Sequence, residues 1–219
     1  MVVRGPGEQE ILELGYGTLY ERAILNKMLK RIVEEHGILS ILEYPSNDML
    51  GDPSALYEGI KADIRRSREL PRGKHDLVWC FCELERAEDP LGLLREMVAA
   101  SGGYVLLVGQ NIFNPGIALH KVYHLLRGVE WDHGEPGRMR LGYAIRLARA
   151  LGLRVLEWGY FDIPFFILDL YEAASFLRAG ISGRMGSNIR ESPFEKMNKR
   201  VKSLLAHHWY LLCARGGEP

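Results

Sequence analysis

Residues 75–109 read HDLVWCFCELERAEDPLGLLREMVAASGGYVLLVG. HDLVWCF, 75–81, is an apolar run enriched in Val, Trp and Phe, which predicts a buried strand. Asp89-Pro90 then opens a helix over PLGLLREMVAA. An aspartate accepts bonds from otherwise orphaned amides, and a proline at the first helical position loses no hydrogen bond. Gly102-Gly103 stops the helix, and YVLLVG, 104–109, predicts a second strand. A strand, a helix and a strand in this order form a βαβ unit, so a parallel sheet is expected.

The pattern continues in both directions. Residues 17–36 carry Leu19, Ala23, Leu25, Met28, Leu29, Ile32 and Val33 on or near one helical face, and Gly37 follows as a stop. ILSILEY, 38–44, predicts a buried strand that ends in the turn-rich PSND. A short helix with Pro53 at its first position and a strand over 60–64 come next. Residues 140–152 predict an amphipathic helix, LRVLEWGY a strand, 117–127, 165–180 and 193–206 further helices, and HWYLLCAR, 208–215, the closing strand. One domain over 1–219 accommodates all of it, with no internal repeat.

Composition narrows the function. Lys+Arg and Asp+Glu both number 28, so there is no basic surplus to drive nucleic-acid binding. The run Arg65, Arg66 and Arg68 reads as a solvated face. Three cysteines, Cys80, Cys82 and Cys213, do not make a disulfide framework, and the first two are expected to share one strand face as small buried hydrophobes. No apolar run reaches the ~20 residues of a membrane helix, and the N-terminus has no signal-like region. A cytoplasmic location is expected.

The 75–109 segment resembles the middle of the class I S-adenosylmethionine-dependent methyltransferases. The matching residues are Asp76-Leu77-Val78, Leu84-Glu85-Arg86 with Arg86 in place of the usual histidine, Asp89-Pro90 and Gly102-Gly103. GILSILEYPSND lies where that family has its first strand and glycine-rich loop, and residues 140–160 are similar to a later helix and strand. The resemblance covers roughly residues 17–160 and the last strand. It implies a Rossmann-like, doubly wound, mostly parallel sheet in three α/β/α layers, with helical insertions at 111–138 and 160–206 after the fifth and sixth family strands. It implies S-adenosylmethionine as cofactor and a small-molecule or lipid-like methyl acceptor as partner. By the same resemblance, Glu43, Tyr44, Pro45, Ser46 and Asn47 border the cofactor, Asp63 and Ile64 lie near its ribose or adenine, Phe81 and Cys82 flank it, and Tyr16 and Tyr20 close over it.

Two departures stand out. The family places glycines at alternate positions after the acid, where this chain has Pro45, Asn47 and Met49. Glycine lets backbone approach a ligand closely, which Pro and Met do not. The stretch from Glu43 to Asp76 is also little longer than one βαβ unit of ~30 residues. At least one family strand should therefore be missing, which leaves about six. His120, His124 and His133 in the first insertion are the candidate proton acceptors, because histidine titrates near neutrality; the i, i+4 spacing of His120 and His124 also allows a metal pair. No metal is assigned. The second insertion reads as a cover for the substrate or a homodimer surface. Two functions compete: methyl transfer, or a binding or scaffold protein of the same architecture without catalysis. Another nucleotide-binding α/β enzyme is disfavoured, since neither a G-x-G-x-x-G fingerprint nor a P-loop follows the first strand.

Overall fold

The computed structural model describes residues 8–47, 49, 50, 53–128, 130–162 and 197–216. In chain order the elements are α1 (Glu8–His36), β1 (Ser40–Glu43), α2 (Pro53–Leu56), β2 (Asp63–Arg66), β3 (His75–Phe81), α3 (Pro90–Ala100), β4 (Ser101–Gln110), α4 (Pro115–Arg127), α5 (Leu141–Ala150), β5 (Arg154–Phe161), α6 (Lys199–Leu205) and β6 (His208–Ala214).

Among the described residues, six strands form one sheet in the order β2-β1-β3-β4-β6-β5. β2, β1, β3 and β4 are parallel, while β6 runs antiparallel to both β4 and β5. Side chains alternate cleanly between the two faces. Ile41, Leu77, Trp79, Phe81, Leu106 and Val108 pack with Leu25, Leu29 and Ile32 of α1 and Leu56 of α2. Leu42, Val78, Cys80, Val105 and Leu107 pack with Leu94 and Met97 of α3 and Ala144 and Ala148 of α5. The result is three layers, α/β/α, with the missing strand as expected. Strand order reverses between β1 and β3, which makes their carboxyl ends the natural ligand crevice.

Local signals act as read. Asp89 caps α3 by accepting from the Gly92 amide at 2.9 Å, with Pro90 at the first position. Asn114 and Pro115 do the same for α4, and Gly128 ends it in the left-handed conformation at φ 64°.

Three readings are corrected. The second strand is Asp63–Arg66, not 60–64. Asp63 pairs with Ser40 at the amino end of β1, so it lies exposed at the opposite edge from the crevice, with Ile64 next to it. A four-residue edge strand carries little hydrophobic signal to fix its bounds. In the arginine run, alternation turns Arg65 outward and Arg66 inward, so the run is not one solvated face. Cys80 and Cys82 do not share a face: Cys82 adopts φ 54° just past β3, which breaks the alternation and puts it with the α1 layer. All three cysteines are buried and free.

A Cβ at Gly109 would lie 2.2 Å from Cζ2 of the fully buried Trp209. Gly109→Ala should therefore overpack the β4–β6 contact and cost about 1–3 kcal/mol. The check is a lowered urea midpoint at unchanged slope.

Candidate functional site

The carboxyl ends of β1 to β5 and the amino end of the antiparallel β6 meet at one edge of the sheet. That edge has two halves of different chemistry.

Over β2, β1 and β3 the side chains bond to one another. Glu43 ends β1 and is 4% exposed. Its Oε2 accepts from Arg66 Nε at 2.8 Å and from the Tyr57 hydroxyl, and its Oε1 accepts from Arg66 Nη2 at 3.1 Å. Trp79 Nε1 donates to the Tyr57 hydroxyl at 3.1 Å. Burial and the Glu43 carboxylate push the Tyr57 phenol far up, so it stays a proton donor. Asn47 then bridges the switch point: its Nδ2 donates to Phe81 O at 2.7 Å and to Glu83 Oε1 at 2.7 Å. Arg66 Nη2 donates to Asn47 O at 2.5 Å, and Ser46 N donates to Ser67 O at 2.9 Å. The loop is thus tied to both neighbouring strands. Its Tyr44–Pro45 bond is cis. Tyr44 turns to the opposite face, where its hydroxyl donates to Glu96 Oε2 at 2.5 Å, and burial lifts it to about 12.

Over β4, β6 and β5 the edge opens into a cavity of about 170 Å³. It is lined by Met49, Phe81, Gln110, Ile117 and Trp131, with Glu21 of α1 and His120, His133, His207 and His208. The register sets Gln110 and Phe161 beside His208 in a row. His208 Nδ1 is 2.7 Å from Glu21 Oε1, and His207 Nδ1 is 3.2 Å from Asp162 Oδ2. Burial alone would lower His208, but the Glu21 carboxylate outweighs it and holds the imidazolium well above its usual range. For Glu21 the same pairing with His208 overcomes the upward push of burial, and the carboxyl is lowered. Burial lowers His120 and His133, assisted by neighbouring imidazoles.

The expected residues therefore separate. Glu43, Pro45, Ser46 and Asn47 belong to the closed half, Phe81 to the cavity, and Cys82 contacts His208 beneath it, with burial raising the thiol to about 12. His120, His124 and His133 come together. Asp63 and Ile64 stand away from this edge, and Tyr44 faces elsewhere. The side chains of Tyr16 and Tyr20 and the insertion's 163–196 part lie outside the described residues. Sequence reading missed Tyr57, Arg66, Glu21, Asp162, His207 and His208. His207-His208 was the available signal, because an antiparallel closing strand brings its start to this edge.

Comparison with solved structures gives the fold a class. No family model matches the sequence, and no curated protein matches it. Magnesium protoporphyrin IX methyltransferase from Synechocystis PCC 6803, with bound S-adenosylhomocysteine, is 9% identical and superposes with a TM-score of 0.50 over 90% of this chain and 84% of that one. A S-adenosylmethionine-dependent methyltransferase from Mesorhizobium loti gives 17%, 0.40, 84% and 84%. The plantazolicin methyltransferase gives 11%, 0.46, 96% and 89%. The Synechocystis match shows the fold: this chain has the architecture of the S-adenosylmethionine-dependent methyltransferases. The ligand bound in the Synechocystis enzyme is the demethylated form of S-adenosylmethionine. The described residues here do not fit it as the family pattern does. The acid that ends β1 has both oxygens occupied, a guanidinium stands at the end of β2, and Asn47 bridges the switch point.

Glu85 is buried beside the cavity wall and accepts from Gln110 N at 2.8 Å. Burial raises its carboxyl from 4.5 to about 7. Its folded-state proton is thus held where the unfolded chain has lost it. That contribution to stability is complete below about pH 4.5 and vanishes as pH rises through about 7. Glu85→Gln should remove a fall of at most ~3 kcal/mol between those limits, read from urea midpoints across the pH range.

Proposed function

We propose that this protein binds a small polar ligand in the edge cavity, within a methyltransferase fold whose nucleoside crevice is closed by its own side chains. The observation that carries this reading is the saturation of Glu43 by Arg66 and Tyr57, with Asn47 latched to Phe81 and Glu83. Among the described residues, a ribose finds no free carboxylate there. Inserting one would mean breaking a buried ion pair, and leaving either partner alone is costly.

The cavity suits a different ligand. Its 170 Å³ is below the ~300–1,000 Å³ of pockets that take drug-sized molecules. A molecule of amino-acid or short-acid size matches that volume. Phe81, Met49 and Ile117 would hold its apolar body, and Glu21, His207 and His208 its polar head.

A second reading keeps methyl transfer from S-adenosylmethionine to a small-molecule or lipid-like acceptor. The cavity's place favours it: it adjoins the switch point at the carboxyl edge, where ligands of open α/β sheets bind. In that reading the Asn47 latch opens to admit the cofactor.

Calorimetry with S-adenosylhomocysteine separates the two. The closed-crevice reading expects no saturable heat up to ~1 mM ligand. Arg66→Ala should lower stability by about 2–3 kcal/mol, less than the ~3–5 kcal/mol of a fully buried pair because the Arg66 side chain is 25% exposed. Saturable binding by the unaltered protein would reverse the order of the two readings.

A further inference from the structure

We propose that His120, His124 and His133 form a binding site for a divalent transition-metal ion of the zinc class, with an open coordination position at the cavity. This goes beyond the ligand reading above and does not depend on it.

The argument starts from ring chemistry. Each imidazole nitrogen has one in-plane position, filled by either a proton or a lone pair. His124 Nδ1 lies 2.9 Å from the Glu130 carbonyl oxygen, which only accepts, so the proton of neutral His124 sits on Nδ1 and its Nε2 presents a lone pair. His120 Nε2 lies 3.0 Å from His124 Nε2 and 3.0 Å from His133 Nε2. One proton on His120 Nε2 aims at one partner, not at two. A cation between the three nitrogens satisfies every lone pair at once. Zinc–nitrogen bonds of ~2.0–2.1 Å in tetrahedral array separate nitrogens by about 3.3 Å. The observed contacts are close to that spacing. The ligating atoms of all three residues lie within 4.8 Å of one another.

The surroundings are built to hold this arrangement. His120 and His124 stand one turn apart on α4, whose ends are fixed by Asn114 and Gly128. His133 comes from the following loop. Trp131 Nε1 donates to Gly134 O at 2.7 Å, and Glu135 N donates to Glu85 O at 2.9 Å, so both sides of His133 are pinned. Gly134, at φ 94°, passes so close that a Cβ there would meet Glu85 O at 2.6 Å. Trp131 covers the trio, with ring centroids 4.7 Å from His133 and 5.5 Å from His124. An apolar cover and a hydrogen bond behind a ligating ring are the usual support of a metal ligand. Asp132 Oδ1 is 3.3 Å from His133 Nε2, on an exposed side chain.

Three nitrogen ligands leave a fourth tetrahedral position, as in zinc sites that present a water or a substrate. His120 and His133 line the cavity, which puts the site at its wall. Imidazole donors without thiolate suit zinc, nickel and copper; zinc is the probe of choice because it has no redox chemistry of its own. The neighbouring Glu21, Asp162, His207 and His208 also cluster, but there imidazole nitrogens face carboxylate oxygens at 2.7–3.2 Å, not one another.

The test is zinc titration by calorimetry on chelator-treated full-length protein, with bound metal counted by elemental analysis. Cobalt replacement supplies visible ligand-field bands as a second readout. The unaltered chain should bind one equivalent, and His124→Ala and His133→Ala should each weaken binding by at least ~100-fold. Chelated variants should melt as the chelated parent does, which separates lost ligation from lost folding. Absence of stoichiometric zinc would overturn the proposal. So would full zinc retention in the His124→Ala, His133→Ala double variant with loss in Glu21→Gln, which would place the ion in the other cluster.

Discussion

A carboxylate buried at the end of a parallel strand is expensive unless its charge and both oxygens find partners. Glu43 is in that position, and the chain meets the demand internally. Arg66 comes from the neighbouring strand, Tyr57 from just after α2, and Trp79 steadies Tyr57 from β3. These contacts set the path of everything beside them. Arg66 also holds the Asn47 carbonyl, which leaves the Asn47 amide to span Phe81 and Glu83. Where a glycine loop leaves bare backbone for a ligand, this loop uses side chains to join three strands. The wet end of the sheet moves over to β4, β6 and β5, and the cavity is found there.

Much of the fold was legible because its signals are local or periodic. The strand HDLVWCF is buried on both faces and reads as one apolar run. Asp89-Pro90 and the glycines at 102–103 mark their boundaries through chemistry confined to a few residues. The shortened stretch between Glu43 and Asp76 gave the strand count, since chain length limits how many crossovers fit. The 60–64 strand misled because an exposed edge strand has no buried face to declare its register; the strand starts three residues later, which puts Asp63 at its amino end.

The site was legible only in part. The three insertion histidines stood out by spacing and type, and they do converge. The partners of Glu43 did not, because Arg66 looked like one of several charged residues and strand alternation alone decides that it turns inward. Glu21, Asp162 and His208 are separated by long stretches of chain and share no motif. They meet because α1 crosses the edge where β5 ends and β6 begins.

β6 follows β5 in sequence, yet it lies between β4 and β5. The place between β4 and β5 is therefore filled by a strand made after both, which pairs antiparallel with each. His207 and His208 come to the pocket with that segment, within 3.2 Å of Asp162 and Glu21 oxygens. The cavity wall is thus completed across a sheet junction: the segment that fills the place between β4 and β5 also sets the imidazoles against the two buried acids, Glu21 and Asp162.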